Sequence, residues 1–551
     1  MINEYYDSAS AESDPSFGLD KKNYYLGSVT QVSSREVTIQ ADNLTLLEHR
    51  MLRQSDLIPN TINYYVVIDS VTGLFFGRIV KTAIPSSVSR ANIFDERRRD
   101  QISVEAVVDV LGYQSIGSES FKLPGFARPG IADKVYIANK AITKHYISSI
   151  EVDRAQSDES DKIENFAHLS SFENVPLSLH TSVLFDRHLL IVGTTNSGKS
   201  TTALSILNQL IKLKKKVLLI DPTGEYRYSF SCEEMEKLIL GDNAVVDSGA
   251  LSVLNWAKIF DCNENTQEAT LSGAIQSLRY QKKIGESNSV LIKKGQSVSS
   301  IQGKLAQVGK DDTSFNVELL PKQLTEEAVQ VTRDGERYEE NSFMINNFEW
   351  LRQKVKNQLD NTSFMSFVTM ANEDCVDLFK ALDDFYNTPG QSLYIDASNI
   401  GTSDGVGGMV IDLITNYLLE KERCEEHGYV IFVDEVHRYA KKKTEPDSFY
   451  SGLTSIAREG RKKGIFLFLT TQNPNDVSAE LLGQIGTIIT HRLTHSKEID
   501  TIQNSLSVHS VGQIAKLNQG EAILASINLL EDLHLSVDSC SRKHENSTPT
   551  L

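Results

Sequence analysis

One nine-residue stretch, Gly193-Thr194-Thr195-Asn196-Ser197-Gly198-Lys199-Ser200-Thr201, narrows the folds open to this chain. It fits the pattern G-x-x-x-x-G-K-[ST]. The apolar run Leu189-Leu190-Ile191-Val192 precedes it, and Ala203, Leu204, Leu207, Leu210 and Ile211 follow at helical spacing. A strand that ends in a glycine-rich loop and opens a helix aims several backbone N–H groups at one point, where a phosphate can sit. Lys199 would reach the β- and γ-phosphates of ATP, and the Ser200 hydroxyl would ligate Mg²⁺. The alternative is a chance match in an ordinary turn, against which the strand–loop–helix setting speaks.

At 551 residues the chain exceeds one hydrophobic core, so two to four domains are expected. Its five cysteines include no C-x-x-C pair, which argues against a disulfide framework or a zinc site and suits a reducing compartment. No apolar run approaches the length of a membrane span, and the first residues do not read as a signal peptide, so a cytoplasmic protein is expected. Net charge is −17, from 56 Lys and Arg against 73 Asp and Glu. That balance weakens a nucleic-acid reading without excluding it. Screening limits exposed charges to about 8 Å, so basic loops can line a channel in an acidic ring.

Residues 1–21 are polar and acidic and read as a mobile tail. From 22 to 150, short β-like runs such as Glu36-Val37-Thr38-Ile39-Gln40 and Tyr64-Tyr65-Val66-Val67-Ile68 follow one another without long helices, which suggests a small β-barrel. A linker is expected over 151–180. From 181, apolar strands alternate with helices, at 189–192, 217–220, 393–396, 429–433 and 465–470. Such alternation indicates an α/β core, a mostly parallel sheet covered by helices, over 181–264 and 389–538. Between 265 and 388 lies a polar, strandless, helical insertion, and 539–551 reads as a polar tail, disordered or ordered only against a neighbour.

Four further signals join the P-loop. Tyr429-Val430-Ile431-Phe432-Val433-Asp434-Glu435 is an apolar strand ending in two acids, tolerated on a buried strand only at its open carboxyl end. Asp434 would hold the Mg²⁺ hydration shell and Glu435 would orient the attacking water; capping of the next helix is the plainer alternative. The strand over 465–470 leads through Thr471 to Gln472, suited to sense a γ-phosphate or simply to make a turn. In Asp221-Pro222-Thr223-Gly224-Glu225-Tyr226, Pro and Gly force a turn that places Asp221 and Glu225 at the sheet edge expected for Lys199. Arg458 and Arg461 stand three apart, on one face of an expected helix. Either could complete a neighbour's site, or they could be a solvated basic helix end.

Together GTTNSGKST (193–201), DPTGEY (221–226), FVDEVHRY (432–439), IAREGRKKGIFLFLTTQNPNDVS (456–478) and LNQGEAIL (517–524) resemble the HerA family of hexameric DNA-translocating ATPases, cousins of FtsK. The resemblance implies a RecA-like core behind an N-terminal barrel, a homo-hexamer with ATP between neighbours, and double-stranded DNA in the channel. It also implies that Arg458 or Arg461 acts in trans, that Arg187 lies near the phosphates and that Glu225 assists hydrolysis. In the family the motor works with an effector, a nuclease or a sirtuin-like NADase, in DNA end processing or anti-phage defence, with the barrel as docking surface. A scaffold ring that activates an effector through ATP binding is the rival reading, and a small-molecule phosphotransferase fits poorly. Two departures stand out. Asn196 replaces the usual glycine but tolerates left-handed backbone, and Thr223 replaces a common histidine. Lys214-Lys215-Lys216 read as a solvated helix end, while Lys282-Lys283, Lys293-Lys294 and Lys441-Lys442-Lys443 are candidate DNA contacts. A metal role for His491 and His495 lacks a third ligand.

Overall fold

Every side chain is buried in the strands Leu189–Val192, Lys216–Asp221, Ser392–Asp396 and Tyr429–Val433. Such continuous apolar runs, unlike alternating ones, suit a sheet covered on both faces. The computed structural model describes residues 1–7, 21–34, 36–41, 65–83, 104–152, 160–170, 176–260, 262, 266–369, 375–399, 406–422, 428–439 and 451–544. It has two units. The first is Met1–Gln209, Gln472–Asn475 and Ile485–Cys540; the second is Leu210–Thr471, Asp476–Gln484 and Ser541–Leu551. The fold is a RecA-like P-loop core with a helical insertion and an N-terminal barrel.

In the first unit, Tyr25–Val32, Val37–Ala41, Tyr65–Ser70, Gly73–Ala83, Val104–Ser115 and Lys134–Ile137 close an antiparallel barrel. The helix Lys140–Ser148, capped by Asn139 Oδ1 accepting from the Ile142 N–H at 3.0 Å, brings Tyr146 onto Phe76 with ring centroids 3.9 Å apart. The first residues are not a tail. Ile2–Asp7 is a helix whose Ile2 is buried, and the Tyr5 carbonyl accepts from Asn139 Nδ2 at 2.9 Å. Residues 8–20 lie outside the described residues.

The rest of this unit is a six-stranded run. Leu189–Val192 lies parallel to Thr487–Thr490, and Glu521–Ser526, Leu533–Val537, Lys162–Leu169 and Pro176–His180 follow antiparallel. The expected linker over 151–180 thus holds two strands. Their pairing shifts register between Glu164 and His168, where Asn165 has φ 53°, and the shift breaks the alternation that marks a strand. A buried ion pair, Arg78 to Glu531 at 3.3 Å, ties the barrel to the turn after Glu521–Ser526.

The second unit carries five parallel strands in the order Met235–Ile239, Ser392–Asp396, Lys216–Asp221, Tyr429–Val433 and Ile465–Thr471. The insertion is mostly helical, with Thr266–Lys283, Val298–Leu305, Leu320–Glu326, Ser342–Leu359 and Thr362–Phe367. Contrary to expectation it also has strands. Val329–Val331 and Tyr338–Glu340 form a hairpin, and Val368–Thr369 and Val376–Asp377 flank Ala244–Asp247. These strands are two or three residues long, too short to leave a sequence period. Residues 541–544, expected as tail, dock on this unit: Arg542 pairs with Glu234 at 2.5 Å and the Lys543 carbonyl accepts from Ser229 Oγ at 2.6 Å.

Candidate functional site: a P-loop and a braced acid pair

In the first unit the loop after Leu189–Val192 curls through two left-handed positions, Asn196 at φ 62° and Gly198 at φ 111°, before the helix Lys199–Lys212 begins. Asn tolerates the first conformation, and Gly198 meets the second without strain. A Cβ on Gly193 would come within 2.5 Å of Ser197 Oγ and 2.7 Å of His491 Cβ, so only glycine fits there. Below the loop, Arg492 O accepts from Thr194 N at 3.0 Å, Ser197 O accepts from Gly520 N at 3.0 Å, and Thr194 O accepts from Ser197 Oγ at 2.7 Å. Lys199 is buried, and Thr195 Oγ1 donates to Gln472 Oε1 at 3.0 Å. A concave run of amides and a buried ammonium at the start of a 14-residue helix suits a phosphate chain.

His491, weighed in the sequence only as a metal ligand, has a structural part that the sequence did not reveal. Fully buried, it carries its proton on Nδ1 and donates to Glu521 O at 2.9 Å, while Nε2 accepts from Thr202 Oγ1 at 2.9 Å. Burial drives the imidazole down to about 4, so it stays neutral. It is a strut between loop, helix and strand. Both ring nitrogens are engaged, which leaves no lone pair for a metal.

In the second unit, Tyr429–Val433 ends at Asp434 and Glu435, both buried. Thr470, on the neighbouring strand, donates its hydroxyl to Asp434 Oδ1 and accepts from the Glu435 N–H at 3.1 Å. Glu435 has φ 48° and ψ 49°, a left-handed conformation that costs a non-glycine residue about 1–3 kcal/mol. It caps only the three-residue turn Val436–Arg438 and makes no side-chain cap hydrogen bond, so helix capping does not explain it. Asp221, by contrast, is consumed by its own turn. Its carboxylate accepts from the N–H groups of Thr223, Gly224 and Tyr226 at 3.1, 2.8 and 2.8 Å, from Thr223 Oγ1 at 3.0 Å and from Tyr394 OH at 2.8 Å. The turn reading holds for Asp221, and Thr223 gains a structural part. Glu225, half-buried, meets His544 at 3.1 Å.

A family model described as the helicase HerA central domain matches residues 165–375, and one described as helicase HerA-like C-terminal matches 409–528, together more than half the chain. The chain belongs to the HerA-type ATPases. It is 26% identical over 373 residues to the probable helicase MJ1565 of Methanocaldococcus jannaschii, across 65% of this chain and 63% of that protein, so it spans less than two thirds of that relative. It is 24% identical over 395 residues to the probable DNA double-strand break repair helicase HerA of the same organism, across 66% of this chain and 74% of that one. Among solved structures, VirB4 of Thermoanaerobacter pseudethanolicus overlies 70% of this chain and 98% of its own with a TM-score of 0.47 and 14% identity.

Other residues of this HerA-type chain fall differently from expectation. Arg458 and Arg461 fall in two elements: Arg458 in the α-helix Gly452–Glu459 and Arg461 in the tighter 3-10 turn Gly460–Lys463 that follows it. Gly460, at the junction, is closely packed: a Cβ there would meet Ile456 Cγ2 at 2.7 Å and Ile465 O at 3.0 Å. Both arginines are exposed, as is Arg187, whose side chain lies along Gly486. Three of the candidate insertion lysines are engaged within the fold. Lys283 pairs with Asp312 at 2.7 Å, Lys293 with Glu327 inside the subdomain, and Lys294 with Glu340. Lys216 donates to Tyr386 O at 2.9 Å, and Lys214 ends its helix at φ 56°. Lys441, Lys442 and Lys443 lie outside the described residues. Among the described residues, no helix is long and apolar enough to cross a membrane, and no group of three His, Cys, Asp or Glu could hold a metal.

Proposed function

We propose that this HerA-type protein is an ATP-driven translocase on double-stranded DNA. In this reading it forms a cytoplasmic ring of six subunits and serves a partner effector, a nuclease or a sirtuin-like NADase, in DNA end processing or anti-phage defence. The amides of residues 193–201 and Lys199 bind the phosphates. Ser200 and Asp434 offer the hard oxygen donors that Mg²⁺ prefers, and the cation when bound neutralises phosphate charge. Glu435 orients the attacking water, Gln472 senses the γ-phosphate and Glu225 assists. Arg187 lies near the phosphates, and Arg458 or Arg461 serves the neighbouring subunit's nucleotide.

The observation that carries this reading is the acid pair. One carboxylate is fixed by Thr470 and the other stands on strained backbone, an expense that holding a nucleotide alone does not require. For the effector, the support is one end of the barrel. Val71 lies in the turn between two strands, Ile116 follows Ser115, which pairs with Gly73, and Ile131 precedes Ala132, bonded to Val29. These three side chains and those of Leu123 and Phe126 are exposed, an apolar group of the kind that protein partners cover.

ATP hydrolysis with and without linear double-stranded DNA tests the proposal. Strong stimulation by DNA supports it, and turnover indifferent to DNA contradicts it. The apolar barrel end also favours a second reading, in which ATP binding alone organises the effector. That reading requires the effector to be activated by the Glu435→Ala protein but not by Lys199→Ala.

A further inference from the structure

The loop Gly193–Gly198 curls between the end of one strand, at Val192, and the start of the helix Lys199–Lys212. One residue beyond the neighbouring strand Thr487–Thr490 touches both ends. The His491 N–H donates to Val192 O at 2.8 Å, just before the loop. Its ring Nε2 accepts from Thr202 Oγ1 at 2.9 Å, in the first turn of the helix, and its Nδ1–H donates to Glu521 O at 2.9 Å. That carbonyl settles the tautomer, because it can only accept. Nε2 therefore offers its lone pair, and the Thr202 hydroxyl supplies the proton. Both side chains belong to residues at 0% exposure, so bulk water does not compete for the bond.

This contact acts where phosphate binding is prepared. The Thr202 N–H makes the helical bond onto Gly198 O, at 3.0 Å. The N–H groups ahead of such a bond have no partner within the helix, and they are the ones an anion meets. Their direction depends on where the first turn stands relative to the strand that feeds the loop. Backbone shapes the loop itself, while His491 holds the two ends between which it curls. A ring fixed by Glu521 O does not swing away from Thr202. Without the bond, part of the free population has its first turn displaced, and apparent affinity falls with the fraction that remains competent.

We infer that His491 and Thr202 form a clamp that sets nucleotide affinity: the imidazole joins the strand before the P-loop to the helical turn after it, and so holds the phosphate-facing amides ready. The inference rests on the reading that residues 193–201 bind the phosphates. Both members are positioning residues, which touch no nucleotide in this account and transfer no proton.

The test is binding of a fluorescent ATP analogue and steady-state ATP hydrolysis by the full-length protein, with thermal unfolding as the control for folding. Thr202→Val keeps the shape of the side chain and removes the donor. It is expected to raise the dissociation constant and the KM about tenfold, the size of one lost hydrogen bond, with kcat at saturating ATP within about twofold. Thr202→Ser retains the hydroxyl and is expected to restore most of the affinity. His491→Asn places an amide near the position of Nδ1, where it can serve Glu521 O but not Thr202, and should lose as much affinity as Thr202→Val. The double variant Thr202→Val with His491→Asn should lose no more than either single one, because the two changes remove the same bond.

A merely structural role would lower the unfolding temperature and leave the affinity of the folded protein alone. Unchanged affinity in Thr202→Val, no recovery in Thr202→Ser, or fully additive losses in the double variant would each overturn the inference. Wild-type affinity in Lys199→Ala would instead overturn the reading on which it rests.

Discussion

The P-loop and the acid pair hold their functional groups by different means. Around residues 193–201 the work is done by backbone: left-handed positions at Asn196 and Gly198, a glycine at 193 that leaves room for His491, and main-chain bonds to Arg492 and Gly520. At Asp434 and Glu435 a side chain does the holding: the Thr470 hydroxyl bonds the Asp434 carboxylate and the Glu435 N–H. Phosphate binding needs many converging amides, which only a constrained loop can supply. Aiming a water needs one carboxylate held still, which single side chains can do. The difference implies that damage to the first region should appear as lost affinity, and damage to the second as lost turnover at unchanged affinity.

The strongest way to break that division lies at Gly198. With φ 111° and a Cβ that would sit 3.2 Å from both Gly520 Cα and His491 Cε1, Gly198→Val combines backbone strain with a clash. It is expected to weaken nucleotide binding on the order of 100-fold, consistent with about 1–3 kcal/mol for each such defect. Near wild-type affinity in a titration would show that the loop is not the holder.

His491 gives the next largest effect. Its folded value of about 4 lies below the ordinary 6.5, so the unfolded chain takes up a proton first as pH falls. Stability should therefore be full above 6.5 and decline between 6.5 and 4, by about 3 kcal/mol for this group. His534, also pushed down to about 4 by burial, adds to the same slope. His491→Asn should remove roughly half of it, and a denaturation series across that window would show whether it does.

Thr470→Val sharpens the other side. It removes the donor to Asp434 and the acceptor of the Glu435 N–H while keeping the shape of the side chain. A fall in kcat of about tenfold, corresponding to one or two lost hydrogen bonds, is expected with affinity intact. A parallel loss of affinity would blur the comparison. Tyr394→Phe gives the smallest change. It removes one of five donors on Asp221 and should cost about 1 kcal/mol of stability, read by denaturation, without altering turnover.

The sequence carried these regions unequally. A loop built from backbone conformation must spell itself in Gly, Asn and Lys, so residues 193–201 could be read directly, down to the left-handed Asn196. The acids at 434 and 435 were legible because carboxylates after an apolar run are rare. Their supports were not. Thr470 is a common residue, and His491 meets Thr202 from 289 positions away, a separation that no local pattern encodes. The same holds for the fold. Fully apolar parallel strands announced themselves, whereas Lys162–Leu169 hid behind a bulge at Asn165.

Nucleotide binding and ATP turnover, measured side by side in Lys199→Ala and Glu435→Gln, test the central claim most directly. The expected result is loss of binding in the first, and binding without turnover in the second. Undiminished binding by Lys199→Ala, or undiminished hydrolysis by Glu435→Gln, would contradict the division between a loop that holds the phosphates and an acid pair that drives their cleavage.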